Sequence, residues 1–141
     1  MIPGLEQAEY LRFGSIHRNS YLNSPASLGP ALTARDDDHL FFAGQITGVE
    51  GYTESLGTGL LAGINLVRRL ERRPLAVPPP TTMLGGLYRY LAEADPKHFQ
   101  PMNANFGLLD PLPGKVRKER KKELLVERAR ADKDHFLKEL Q

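Results

Sequence analysis

The most informative segment of the chain reads Leu40-Phe41-Phe42-Ala43-Gly44-Gln45-Ile46-Thr47-Gly48-Val49-Glu50-Gly51-Tyr52. Its first four residues are apolar and follow the polar turn 36–39, which favours a short strand buried on both faces, as in a parallel sheet. The glycines at 44, 48 and 51 permit a tight turn and a close approach of the backbone to a ligand. The segment therefore predicts a strand followed by a glycine-rich turn.

A helix is predicted to follow, from Tyr52 or Thr53 to about Leu70, with Thr53 able to serve as its N-cap. One apolar face recurs at helical spacing, formed by Leu56, Leu60, Ile64 and Val67. Gly59 and Gly63 lie one turn apart on a second face. Because each glycine costs roughly 1 kcal/mol in a helix interior, we expect this backbone to pack closely against a sheet or a cofactor.

The strand, turn and helix together are typical of a nucleotide or flavin site. Free N–H groups and the dipole at the start of such a helix attract anions and polarised oxygens. The glycine spacing, however, is neither G-x-G-x-x-G nor a turn ending in G-K-[ST]. On spacing alone, a tight turn without any ligand explains the pattern equally well.

Two more helices are predicted beyond a stiff proline-rich connector at 74–80. The first covers about 83–94, with Thr81 or Thr82 as its cap. The second covers about 115–140 and carries a narrow apolar stripe of Leu125, Ala129, Phe136 and Leu140. Between them, the irregular segment 99–113 combines aromatic and amide residues in a way that is unusual for a simple connector.

The composition excludes several classes of site. The 141 residues include no cysteine, which excludes a disulfide, a thiolate zinc site and a cysteine nucleophile within this chain. The four histidines form no cluster in sequence, so no metal site is predicted. No apolar run approaches the roughly 18 residues that would span a membrane, and the start has no signal-peptide pattern. The expected location is therefore cytoplasmic.

Positive charge is concentrated near the end of the chain. Residues 115–141 carry 10 basic and 6 acidic side chains, whereas 1–114 carry 9 basic and 11 acidic. A basic helix of this kind can contact RNA phosphates. It can also be an ordinary solvated face, which charge alone favours.

The segment 42–52 resembles the bacterial folate- and FAD-dependent tRNA (uracil-5-)-methyltransferases, the TrmFO or Gid family. Further family segments agree in order along the chain, at 1–6, 17–19, 23–25, 54–55, 59–65, 81–82, 99–103 and 105–108. The related wobble-uridine-modifying flavoproteins of the GidA type share Gly-Gln-Ile-x-Gly-x-x-Gly-Tyr-x-Glu but not segments 1–6 and 99–103. They are therefore the second candidate.

The resemblance implies an enzyme that makes 5-methyluridine in the T-loop of tRNA. In such an enzyme methylenetetrahydrofolate supplies the carbon, reduced FAD supplies the electrons, and NAD(P)H reduces the FAD again. It also implies that this chain corresponds to the C-terminal third of such an enzyme. The family's FAD fingerprint and catalytic cysteines then lie upstream, and the chain holds no catalytic residue of its own. A separate chain that carries the N-terminal FAD-binding portion is one way to complete the enzyme.

The resemblance also assigns site residues. FAD is expected at the glycine-rich turn, against Gly44, Gln45, Gly48, Glu50, Gly51 and Tyr52. Gln45 stands where many flavoproteins of this class carry aspartate, and its amide can still bond a ribityl hydroxyl. The folate side is expected at His17, Arg18 and Asn19, with the His17 ring stacked on the pterin.

The expected fold is α/β, the C-terminal piece of a flavoprotein with two dinucleotide-binding domains. Residues 1–25 would form the edge of an insertion domain, 26–75 the end of the FAD-binding domain and 76–141 a helical extension. A different class of function stays open, a non-catalytic RNA-binding or assembly module that uses the basic helix.

Overall fold

The computed structural model describes residues 3–4, 6–9 and 20–140. Within these residues lie four α-helices, α1 (Ser24–Ser27), α2 (Tyr52–Leu70), α3 (Met83–Glu93) and α4 (Lys118–Glu139). Two 3₁₀ turns, Gly44–Thr47 and Phe106–Leu108, interrupt the connections. In the same residues, β-pairing is limited to three isolated bridges, Leu28 with Ala34, Thr33 with Phe41, and Val49 with Met102.

Only the helical half of the expected α/β architecture is present in this described part. The predicted strand at 40–43 pairs only with the preceding loop, where Phe42 N–H donates to the Leu32 carbonyl at 2.9 Å. Leu40 is 49% exposed rather than buried on both faces. The physical reason is that a doubly buried strand needs neighbours on both edges, and the described residues provide a single antiparallel contact.

Helix α3 forms the centre of the hydrophobic core. The Gly85 N–H donates to the Thr82 hydroxyl at 3.1 Å, which confirms the predicted cap. Leu87, Tyr88 and Leu91 are almost fully buried. Burial raises the pKa of the Tyr88 phenol above its ordinary value, so this group stays neutral across the physiological range.

Helix α4 docks by its predicted narrow apolar stripe. Leu125 and Phe136 are buried, whereas most of its charged side chains face solvent. The Arg128 guanidinium donates to the Pro111 carbonyl at 2.9 Å and so fixes the chain that leads into the helix. The helix begins at Lys118 rather than at 115, but its extent and docking face agree with the prediction.

Helix α2 has the predicted extent, but most of its predicted apolar stripe faces away from the core. Its buried residues are Thr58, Leu61 and Asn65. The large apolar side chains on the opposite side are exposed, and they are Tyr52, Leu56, Leu60, Leu66, Val67 and Leu70. We call this set, together with Gly59 and Gly63, the outer face of α2. Ile64 of the predicted stripe is instead half-buried against the core, and Gly59 and Gly63 share the exposed face rather than forming a second one.

Polar side chains explain the orientation of α2. The Asn65 amide donates to the Ala76 carbonyl at 2.9 Å and accepts from the Ala76 N–H at 2.7 Å. Thr58 accepts from the Gly44 N–H at 2.8 Å. Both side chains are fully buried, and turning either one outward would leave buried backbone groups without partners. These bonds therefore fix which side of the helix faces inward.

Candidate functional site

The glycine-rich turn has a backbone that only glycine adopts without strain at two of its positions. Gly44 has φ +70° and Gly48 has φ +87°, and these residues open and close the 3₁₀ turn. At Gly48 a Cβ would also lie 2.6 Å from the Phe99 ring. The positive φ therefore explains why glycine occurs at both positions, and the close contact with Phe99 is a second reason at Gly48.

Buried hydroxyl groups hold the turn in place from behind. Gly44 is bound by Thr58, as described above, and the Thr47 hydroxyl donates to the Gly44 carbonyl at 2.7 Å. The Ser24 hydroxyl in turn donates to the Thr47 carbonyl at 2.7 Å. All three hydroxyl-bearing residues are fully buried. The turn is therefore rigid before any ligand arrives.

The aromatic and amide segment after α3 forms the second wall of the site. Val49 and Met102 make a parallel bridge, in which Met102 N–H donates to the Gly48 carbonyl at 2.9 Å. The Ala104 N–H donates to the Glu54 carboxylate at 3.1 Å. This segment is thus a structural part of the turn, as its unusual composition indicated. Its pairing partner had no signal in the sequence.

The start of α2 is open. No side chain of the described residues caps it at Gly51, and the predicted Thr53 cap is wrong. Tyr52 is 93% exposed, and Gln45, Glu50 and Thr53 are also exposed. The Glu54 carboxylate folds back against Gly51 at this helix start, and the N–H groups of Tyr52 and Thr53 bond no acceptor among the described residues. They present a partial positive charge to an anion or a polarised oxygen.

The structure brings six of the nine predicted site residues together. Gly44, Gln45, Glu50, Gly51 and Tyr52 are at least partly exposed at the turn and the helix start, whereas Gly48 is buried against Phe99. His17, Arg18 and Asn19 lie outside the described residues. Sequence reasoning missed the supporting side chains of Ser24, Thr47, Glu54 and Thr58. The one available signal was the polar Thr58 among the glycines and leucines in the middle of α2.

A cavity of about 440 Å³ lies away from the turn, between α2 and α4. Its lining is largely apolar and includes Leu61, Leu125 and Phe136 from the core. Leu60 lines it as well, so the cavity borders the outer face of α2. No group of three or more histidine, aspartate or glutamate side chains gathers for a metal in the part of the chain described. None of the helices there is long and apolar enough to cross a membrane.

Comparison with known proteins matches the region that holds this turn. The profile of the family described as glucose inhibited division protein A (GidA) matches residues 1–74, which include the turn and all of α2. The chain belongs to the GidA family. This membership covers the fold elements that form the candidate site, whereas α3 and α4 lie beyond the matched residues.

Relatives of this family chain extend the match to nearly its whole length. It is 54% identical over 137 residues, 97% of its length, to a methylenetetrahydrofolate–tRNA-(uracil-5-)-methyltransferase TrmFO of Geobacter sulfurreducens. It is 51% identical over 140 residues, 99% of its length, to the protein of the same name from Brevibacillus brevis. The chain spans about a third of the length of these relatives, 32% in both cases.

Proposed function

We propose that this chain forms the flavin-facing part of a folate- and FAD-dependent tRNA (uracil-5-)-methyltransferase that makes 5-methyluridine in tRNA. The observation that carries the proposal is the open start of α2 behind a rigid glycine-rich turn. Relatives at about half identity are named for this activity, and their match continues through α3 and α4, beyond the GidA profile. Within the GidA family, this longer match favours the (uracil-5-)-methyltransferase over a protein that modifies the wobble uridine.

The residues present fit one end of FAD. The N–H groups of Tyr52 and Thr53, which bond no acceptor among the described residues, suit the electron-rich pyrimidine side of the flavin, and the helix dipole would stabilise negative charge on the reduced ring. The exposed Gln45 amide suits a ribityl hydroxyl. We assign FAD to the six residues that the sequence predicts for it, namely Gly44, Gln45, Gly48, Glu50, Gly51 and Tyr52. Bound FAD would supply the electrons for methyl formation, with NAD(P)H as the source of reducing equivalents.

The chain's own residues serve to bind and orient. The hydroxyl groups of Thr47 and Thr58 keep the turn rigid, so little ordering is left for the moment of binding. We place His17, Arg18 and Asn19 on the side of methylenetetrahydrofolate, where an imidazole can stack on the pterin and a guanidinium can pair with an anionic group. The chain has no cysteine, so a cysteine nucleophile would have to come from elsewhere in the enzyme.

The outer face of α2 supports assembly with the remaining part of such an enzyme. Leu56 and Leu70 are each 77% exposed, and nothing in the described residues lies within 4 Å of a Cβ built on Gly59 or Gly63. A continuous apolar helix face of this size marks an interaction surface. We propose that it packs on the sheet of an FAD-binding domain, to which residues 26–75 contribute. That sheet would complete the expected α/β fold, in cis or from a separate chain, in the cytoplasm where tRNA is modified.

A chimera tests this proposal. The matched third of the Geobacter sulfurreducens protein is replaced by this chain, and the purified product is examined for flavin absorbance. It is then incubated with an unmodified tRNA transcript, methylenetetrahydrofolate and NADPH, and the nucleosides are identified by mass spectrometry. We expect bound flavin and 5-methyluridine. A modified wobble uridine instead would favour the GidA-type alternative, and a colourless, inactive but folded chimera would refute the proposal.

A matched pair of glycine substitutions assigns the effect to the turn. Gly44 and Gly114 both have positive φ, +70° and +77°, and both have room for a Cβ. Forcing alanine into this conformation costs about 1–2 kcal/mol at either position. In Gly44→Ala we expect the strained turn to relax to another conformation when flavin is absent, so that binding must restore the original geometry and becomes about tenfold weaker in the chimera, since 1.4 kcal/mol is a factor of ten. Gly114→Ala should leave flavin binding unchanged, and equal effects of the two would contradict the assignment.

A further inference from the structure

Helix α4 carries its net charge at one end. The segment 115–123, here called the basic segment, contains Lys115, Arg117, Lys118, Arg120, Lys121 and Lys122 against two glutamates. Residues 124–141 contain four basic and four acidic side chains, so their charges balance. All of the positive excess of the C-terminal region therefore lies in the basic segment.

This placement opposes the stability of the helix itself. The N-terminal end of a helix carries a partial positive charge, and cations are favoured at the opposite end. Arg117 and Lys121 lie four residues apart, as do Lys118 and Lys122, and like charges at this spacing repel. Among the described residues, no side chain caps the helix at Arg117, and only Glu119 is acidic in its first turn. A polyanionic partner would remove this repulsion.

The cations of the basic segment are available to such a partner. All six are exposed, and among the described residues their only ion pair joins Arg120 to Glu123 at 3.5 Å. The Lys122 ammonium stands 5.2 Å from the centre of the Phe106 ring, which is itself 37% exposed. An aromatic ring beside clustered cations is typical of nucleic-acid surfaces.

The basic segment also lies close to the candidate flavin site. Ala104 bonds Glu54 in the first turn of α2, and Phe106, two residues further on, holds Lys122. Two residues span at most about 7 Å of chain. A molecule bound to the basic segment therefore reaches the neighbourhood of the glycine-rich turn.

We propose that the basic segment of α4 binds the backbone phosphates of tRNA and so holds the substrate beside the flavin site. The identification of the polyanion as tRNA rests on the proposed function, whereas the charge placement does not. A lipid surface fits less well, because the half-buried Val116 is the one apolar side chain of the basic segment and the apolar stripe of α4 docks on the protein through Leu125 and Phe136.

Two charge-matched double variants test the proposal in the full 141-residue chain. Lys118→Gln with Lys121→Gln removes two charges from the basic segment, and Lys133→Gln with Lys138→Gln removes two from the balanced half of the same helix. Binding of a fluorescent tRNA transcript is measured by anisotropy across a salt series, without flavin or folate. Circular dichroism checks that the helix content of both variants is unchanged.

We expect the first variant to bind tRNA about tenfold more weakly and to lower the salt slope by about 2, one for each lost phosphate contact. The second variant should bind like the parent chain. Equal losses in both variants, or unchanged binding by the first, would overturn the proposal. Binding of anionic phosphatidylglycerol vesicles through Lys118 and Lys121, without binding of tRNA, would also overturn the proposal.

This outcome is separable from that of the flavin proposal. A colourless preparation that still binds tRNA through the basic segment contradicts the flavin assignment alone. A chimera that retains flavin, but binds tRNA equally well with and without Lys118 and Lys121, contradicts the present inference alone.

Discussion

The glycines and leucines on the outer face of α2 lie in the opposite environment to those of α3. In α3, a Cβ on Gly85 would lie 1.9 Å from the Pro79 carbonyl oxygen, and Leu91 is fully buried. In α2, a Cβ on Gly63 would meet nothing within 4 Å among the described residues, and Leu56 is largely exposed. Glycine and leucine make up similar fractions of the two helices, so the content of these residues does not distinguish them.

The difference shows that α3 has its packing partners among the described residues, whereas the outer face of α2 has none there. The glycines of α3 permit contacts that exist here, since the connector and the 3₁₀ turn at 106–108 approach its backbone. Those on the outer face of α2 permit an approach that no described residue makes. This asymmetry is what a family chain spanning a third of its relatives' length should show, if the rest of the protein covers α2.

The largest expected effect is the difference in the free energy of unfolding between leucine variants of the two helices. Leu91→Ala should lower the free energy of unfolding by about 3 kcal/mol, because it opens a cavity in the core. Leu56→Ala, the matched change on the outer face, should alter it by less than about 0.5 kcal/mol. Urea unfolding followed by circular dichroism measures both. Similar losses would show that α2 is already covered in this chain, for example by self-association, which sedimentation would reveal.

The next effect is the stability change on replacing a glycine by alanine, which we expect to differ in sign between the two helices. Gly85→Ala should destabilise the chain by about 2 kcal/mol, because the new methyl group collides with the backbone of the connector. Gly63→Ala should stabilise it by up to about 1 kcal/mol, since alanine is the better helix former and the space is open. Thermal unfolding of the two variants gives the signs. A destabilising Gly63→Ala would place a close neighbour against the outer face.

The smallest effect concerns the starts of the helices. Thr82→Ala should cost about 1 kcal/mol, because it removes the side chain that caps α3. Thr53→Ala should change the free energy of unfolding by less than about 0.5 kcal/mol, since this exposed side chain caps nothing at the start of α2. Denaturant titration compares the two. A loss of about 1 kcal/mol for Thr53→Ala would mean that α2 is capped, and that its N–H groups are not open to a ligand.

Local features were predictable where local chemistry decides them. The extents of α2, α3 and α4 followed from helical periodicity and from Thr82, and the docking stripe of α4 followed from Leu125 and Phe136. The turn at Gly44 and Gly48 followed from glycine spacing, and its positive φ values confirm the reason. The buried strand at 40–43 was wrong for the described residues, because its pairing depends on neighbours that they do not include.

By itself, the sequence determined the helices, the glycine-rich turn and the resemblance to a tRNA-modifying flavoprotein family, because these features depend on residues close together in the chain. Only the tertiary structure decided which side of α2 faces inward and which segment supports the turn. Periodicity identifies an apolar face but not its partner. The bonds that settled both points, from Asn65 to Ala76 and from Glu54 to Ala104, join residues that no sequence period relates.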